Sequence, residues 1–327
     1  MFGRHMPILL SLACAAFPRL ARAQETASDT LLTVDHYLDL EQVADPQLSP
    51  DGQQIVYTRS WVNRIEDKWE SALWIMGADG SKNRFLTKGM NARWSPDGAR
   101  IAYVSTKDGQ TDIYVMGLAD GRITRLTHEG GWNGNPTWSP DGAWIMFDSG
   151  RDGVNPSPHN DFRNLFIVRP DGSDLRRVTR LPRYNGSPSW GPDGKRIAFV
   201  SDRGDTFNIF TMAPDGSDQR QLTHRQGVDL GTGYARWSPD GGRLVFAGYG
   251  PNRDSPPRLY WISVDGGEAH ELTTGNMADW SADGGWIAFH REESDRDQLF
   301  AVRPDGTGLT QLTTDRTWKA WARWRPR

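Results

Sequence analysis

Cysteine is nearly absent. The 327 residues hold one, Cys14, and it lies in the first 23 residues, which read as a removable leader. A mature chain without thiols gains and loses nothing from an oxidising compartment. Long apolar runs are missing too: no window reaches 18 uninterrupted apolar residues, so a membrane span is not expected. Charge of one sign is lacking. A net charge of -3 leaves no basic stripe, which removes nucleic acid as an expected partner. The common catalytic signatures are also wanting, since no His-Glu-x-x-His, phosphate loop or dinucleotide fingerprint occurs. The nearest approach to a nucleophile elbow, Ser187-Pro188-Ser189-Trp190-Gly191, lacks the first glycine. It aligns with Asn135-Pro136-Thr137-Trp138-Ser139 one repeat earlier, so its explanation is structural. No catalytic residue and no cofactor is therefore expected.

What the chain does have is repetition. Leu48-Ser49-Pro50-Asp51-Gly52 recurs in near-copy, with Trp in place of Leu, at Trp94, Trp138, Trp190 (with Gly191 for Ser), Trp237 and Trp280 (with Ala282 for Pro), and the Asp positions step by 46, 44, 52, 47 and 43 residues. A second Asp-Gly turn follows in each unit, from Asp79-Gly80 to Asp305-Gly306, and then a Leu-Thr or Val-Thr pair. Between the turns lie short runs rich in β-branched and aromatic residues, such as 100–104, 208–212 and 258–262, which read as strands. A period of about 40–50 residues with four short strands per unit is the pattern of β-propeller blades. Six units predict six four-stranded antiparallel blades in one domain. Gly (35) and Pro (20) fall mostly in these turns, so their number reflects turn chemistry.

The ends differ from the repeat. Arg4 and His5 precede an apolar stretch from Met6 to Phe17, and Ala21-Arg22-Ala23 has the small-x-small form of a signal peptidase site, so residues 1–23 predict export. A lipid-modified Cys14 is disfavoured because Ser11 stands where such motifs want Leu. Residues 24–42 read as a polar tether and a short helix capped by Thr33, and 43–327 as the propeller. Near the far end Ala322-Arg323-Trp324 echoes Ala92-Arg93-Trp94, a surplus inner strand that would help close the ring or cover an edge.

Blade topology separates two faces. The first and third turns of a four-stranded meander share one face, and here they are the monotonous Pro-Asp-Gly and Asp-Gly turns. The second turns and the links between blades share the other, and they are irregular: 60–71, 148–164 and 248–257 within blades one, three and five, with links such as 127–137, 179–189 and 223–236. Loops of free length on a rigid scaffold are where function is placed. Trp132, Tyr184, Tyr234 and Arg236, in or beside those links, are the candidate binding residues, because aromatics and Arg anchor interfaces. The longest loops are expected on the odd blades, as three raised walls around a central mouth. The repeated carboxylates Asp51, Asp97, Asp141, Asp193, Asp240 and Asp283 read as turn residues rather than calcium ligands. The repeated tryptophans, Trp324 included, read as plugs between blades. His128, His224 and His290 all point to the irregular face, but they sit in different blades and no metal site is assigned to them.

The six Ser-Pro-Asp-Gly-like units with their trailing Asp-Gly and Leu-Thr pairs, over residues 43 to 315, resemble the propeller repeats of the TolB family. That resemblance implies a six-bladed TolB-like β-propeller in the periplasm that binds other envelope proteins. The opening segment, 32–37 through 45–52 and on to 71–76, is similar to the start of the propeller in prolyl oligopeptidase family serine peptidases, where an α/β-hydrolase domain follows. No catalytic residue carries over, because no position matches a motif that holds one. The expectation is an exported, monomeric, non-catalytic propeller that binds an envelope protein or peptide. The alternatives are an orphan propeller of such a peptidase and a metal-dependent propeller lyase.

Overall fold

A computed structural model describes residues 41–128, 131–151, 162–181, 183–203, 206–224, 235–249, 256–293 and 296–314. The leader, the tether helix, Tyr234 and the surplus segment ending in Trp324 lie outside the described residues. The described chain forms six antiparallel sheets of four consecutive strands each, the six-bladed propeller that the repeat predicts. Blade one is β1 (Glu41–Leu48), β2 (Gln54–Asn63), β3 (Lys68–Gly77) and β4 (Arg84–Lys88). The inner strands of the next five blades are β5 (Met90–Trp94), β9 (Asn133–Trp138), β13 (Asn185–Trp190), β17 (Arg236–Trp237) and β21 (Asn276–Trp280).

Each Ser-Pro-Asp-Gly turn is closed by its own residues. In blade two the Ser95 hydroxyl donates to Asp97 at 2.5 Å and accepts from the Arg100 amide at 2.9 Å, while Asp97 also accepts from the Ala99 amide at 3.0 Å. Gly98 sits at φ 68°, which is why the turn ends in glycine. The hydrogen bond from Ser95, and then the Ala99 amide, hold the Asp97 carboxyl below the usual carboxylate range, and Asp51, Asp141 and Asp240 show the same pattern. These carboxylates are turn parts.

Blades are joined by packing and by a staple. Five clusters each pack one blade on the next, for instance Met146, Leu165 and Ile167 of blade three against Ile197, Phe199 and Phe210 of blade four. Strands two and three of blades two to six carry stacked ring pairs, such as Phe147–Phe166 at 5.9 Å and Phe199–Phe210 at 5.7 Å. The signature tryptophans reach backwards. Trp94 donates its indole N–H to the Gln47 carbonyl, Trp138 to Arg93, Trp237 to Ser189 and Trp280 to Arg236, at 3.0–3.2 Å. Trp138 and Trp280 are buried, whereas Trp94, Trp190 and Trp237 are half-buried, so the plug is partly open to one side.

The inner strands share a second device. Asp45, Asn91, Asn135, Ser187 and Met277, each three residues before the Trp or Leu of the signature, have φ between 48° and 54°. The ladder shifts register at these points, so each is a bulge that turns the backbone at the upper end of the strand. Asn and Asp tolerate this conformation through local hydrogen bonds; Ser187 and Met277 are held there by the strand around them.

Candidate functional site

The irregular rim departs from the expected three walls. Residues 60–71 of blade one are a regular extension, since β2 and β3 stay paired out to Asn63 and Lys68. Blade six is raised in the same way: its second strand, β22 (Ile287–Glu293), pairs with β23 (Arg296–Val302) to the very tip. An even blade therefore carries a tall hairpin. Flanking residues that pair well across strands simply lengthen the ladder, which loop length alone does not reveal. Most of the second turns of blades three and five fall outside the described residues.

Between blades three and four two of the candidate residues come together. Trp132 lies half-buried in the link before β9, and the Arg163 guanidinium stands 3.7 Å above its ring centroid. The same guanidinium is 5.5 Å from the centroid of Tyr184, a residue only 6% exposed whose ring packs edge-on against Phe207. Arg163 is fixed at its backbone as well: its carbonyl accepts from the Asn185 amide at 2.9 Å, and it forms a parallel bridge with Tyr184. The Tyr184 amide donates to Asp202 at 2.8 Å. Two glycines make room for the rings. A Cβ on Gly186 would stand 2.6 Å from the Tyr184 hydroxyl, and one on Gly134 would overlap the Trp132 indole.

Beneath this stack lies Asp148, fully buried in β10 (Ile145–Ser149). Its Oδ2 accepts from the Asn135 side-chain amide at 3.0 Å and stands 3.8 Å from Arg163, and its carboxyl also takes the Ser187 backbone N–H. Asn135 and Ser187 are the bulge residues of adjacent blades, so one carboxyl ties two inner strands together. Oδ1 has no hydrogen-bond partner. Burial raises the carboxyl to about 6, against the opposing pull of Arg163, Asn135 and the Ser187 amide.

Arg236 is placed differently. It lies half-buried in β17, paired with Val245, and its carbonyl receives the Trp280 indole, so its backbone serves the blade five–six joint. Neither Asp148 nor Arg163 is among the candidates that the sequence singles out. A signal for Asp148 existed, because the residue seven beyond each turn Asp reads Thr58, Val104, Asp148, Val200, Ala247 and His290. Arg163 follows an irregular loop, where repeat spacing gives no register.

The histidines are dispersed. His128 and His224 are exposed, while His290 is buried and desolvation pushes its pKa below the usual imidazole value. Among the described residues no group of three or more His, Cys, Asp or Glu is placed to hold a metal ion. A separate cleft of about 480 Å³ lies between blades five and six, walled by Pro256, Pro257 and Gly275 on one side and by Arg291 and Glu293 on the other. No helix among the described residues is long and apolar enough to cross a membrane.

Comparison with known proteins agrees with this architecture. Residues 39–157 match the family model described as the TolB beta propeller domain. The chain is 33% identical over 224 residues to Uncharacterized protein Atu1656 of Agrobacterium fabrum, covering 63% of this chain and 70% of that one. It is 26% identical over 276 residues to Uncharacterized peptidase YuxL of Bacillus subtilis, covering 82% of this chain but only 32% of the relative. The chain thus spans about a third of that relative's length. Among solved structures, TolB from Acinetobacter baumannii superimposes with a TM-score of 0.59 at 18% identity, over 88% of this chain and 83% of that one, which is a likeness of fold.

Proposed function

Because the chain belongs to the TolB-like β-propeller family, we propose that it is an exported, non-catalytic propeller that binds a protein or peptide of the cell envelope on its irregular rim, with the blade three–four stack as anchor. The observation that carries this reading is the Trp132–Arg163–Tyr184 stack, where a guanidinium lies on one half-buried indole and beside one buried phenol. Aromatic and Arg side chains held rigid and partly desolvated are the composition of interface hot spots, and ordering them before the partner arrives lowers the entropic cost of binding. Tyr184 backs the stack rather than making a contact, because it is already covered. The leader-like residues 1–23 support export, and the TolB resemblance supports the periplasm as destination.

The test is capture of envelope proteins by the purified chain and by its Trp132→Ala variant. Bands retained by the parent and lost by the variant, at unchanged melting temperature, support the reading; identical bands from both contradict it. A second reading draws on the peptidase relative, of which the chain matches a third: a propeller that serves a hydrolase. Its test is peptide hydrolysis by the purified chain with and without a co-expressed hydrolase partner. Turnover by the chain alone, abolished by Ser189→Ala, would overturn the non-catalytic assignment.

A further inference from the structure

The position seven residues beyond the turn Asp is where the repeat changes character. Blades two, four and five place Val104, Val200 and Ala247 there, all buried, so an apolar side chain satisfies the fold at this point. Blades one, three and six place Thr58, Asp148 and His290, also buried, and each leaves a polar atom without a hydrogen-bond partner: Oγ1, Oδ1 and Nδ1. A buried polar group left in part unsatisfied costs stability and needs a reason outside the fold. In blade three that reason is visible. Asp148 touches both bulges, Asn135 and Ser187, and lies under Arg163, the group that the two aromatic rings enclose.

We propose that Asp148 is the positioning residue of the rim stack: it holds Arg163 against Trp132 and Tyr184 by fastening the inner strands of blades three and four, and gaining or losing its proton tightens or loosens that hold. The charged and titratable groups facing it among the described residues are Arg163, at 3.8 Å, and Tyr184, whose hydroxyl shares the space above Gly186. Asp202 stands one step away, on the Tyr184 amide. When ionised, the carboxylate attracts Arg163 down from the indole. When protonated, it keeps the Asn135 and Ser187 hydrogen bonds but no longer pulls on the cation. The titration therefore falls in mildly acidic conditions, where burial has placed this carboxyl.

The consequence for partner binding rests on the proposed function, whereas the hold on Arg163 can be read without any partner, so the two can fail separately. The experiment is a pH titration from about 4 to 8 of the Arg163 Nε–H resonance, identified by its loss in Arg163→Lys and moved by the Trp132 ring current. In the parent the resonance should move with a midpoint near pH 6. In Asp148→Asn, which keeps the acceptor for both bulges, it should stay shifted by the ring and lose the inflection. In Asp148→Val, which installs the side chain of blades two and four, the ring-current shift should largely collapse. His290→Val, the same change in another blade, should alter neither. A flat parent titration, an inflection that survives in Asp148→Asn, or an undiminished ring shift in Asp148→Val would overturn the proposal.

Discussion

The two faces of the propeller solve the same problem in opposite ways. On the turn face the blades end in self-contained units, in which Ser95 and Asp97, or their equivalents, satisfy the turn amides without help from a neighbour; blade four, with Gly191 in place of the Ser, keeps the Asp part alone. On the rim between blades three and four the polar groups are satisfied across blades: Asp148 of one sheet takes the Ser187 amide of the next. A local device can be copied from blade to blade, because it depends only on its own turn residues. A cross-blade device depends on what the neighbour offers, and it is found where the repeat is broken. The difference teaches where to look for function in a repeat protein, at positions the scaffold would have filled with an apolar residue.

The largest effect expected belongs to the scaffold. Trp138→Ala removes a buried ring and its hydrogen bond to the Arg93 carbonyl, and should cost about 3–5 kcal/mol in denaturant unfolding. Next is the rim carboxyl. The folded Asp148 titrates near 6 against an ordinary value of 3.8, so the stability it contributes is full below 3.8 and is lost as pH rises through about 6. A gap of that size corresponds to about 3 kcal/mol as an upper bound. Paired pH–stability curves should show Asp148→Asn gaining on the parent between pH 4 and 7; parallel curves would remove the rim carboxyl from the comparison. Smaller again is the turn itself. Gly98→Val forces a β-branched residue to φ 68°, with Pro50 of the previous blade 3.6 Å from the new Cβ, and should cost about 1 kcal/mol or more. The smallest effect on stability is expected at Trp132→Ala, about 0.5 kcal/mol or less, because the ring is only half-buried, while partner capture should fail.

The scaffold is legible because every blade repeats its turns with at most one change: a Trp or Leu, a Ser-Pro-Asp-Gly-like turn and a trailing Asp-Gly set the strands between them. The Asp residues were legible as turn residues for the same reason. The candidate site is half legible. Trp132 and Tyr184 stand in links of free length, and residue type alone marks them. What brings them together is Arg163, which follows a stretch with no repeat register, and Asp148, whose role appears only when Val104 and Val200 are set beside it. Arg236, the same residue type, is held at its backbone by the Trp280 staple, away from the stack. The tall hairpins of blades one and six are not legible as strands, because strand pairing beyond the core leaves little trace in hydrophobic pattern.

The central claim is that the rim, and not the turn face, meets the partner. It is tested most directly by placing a photo-crosslinking residue at Leu181, exposed in the link beside the stack, and in a second protein at Ala99, exposed on the turn face. After irradiation of envelopes carrying each variant, adducts should form from position 181, disappear when Trp132→Ala is added, and be absent from position 99. Adducts from position 99 with none from 181 would assign function to the opposite face and contradict the account.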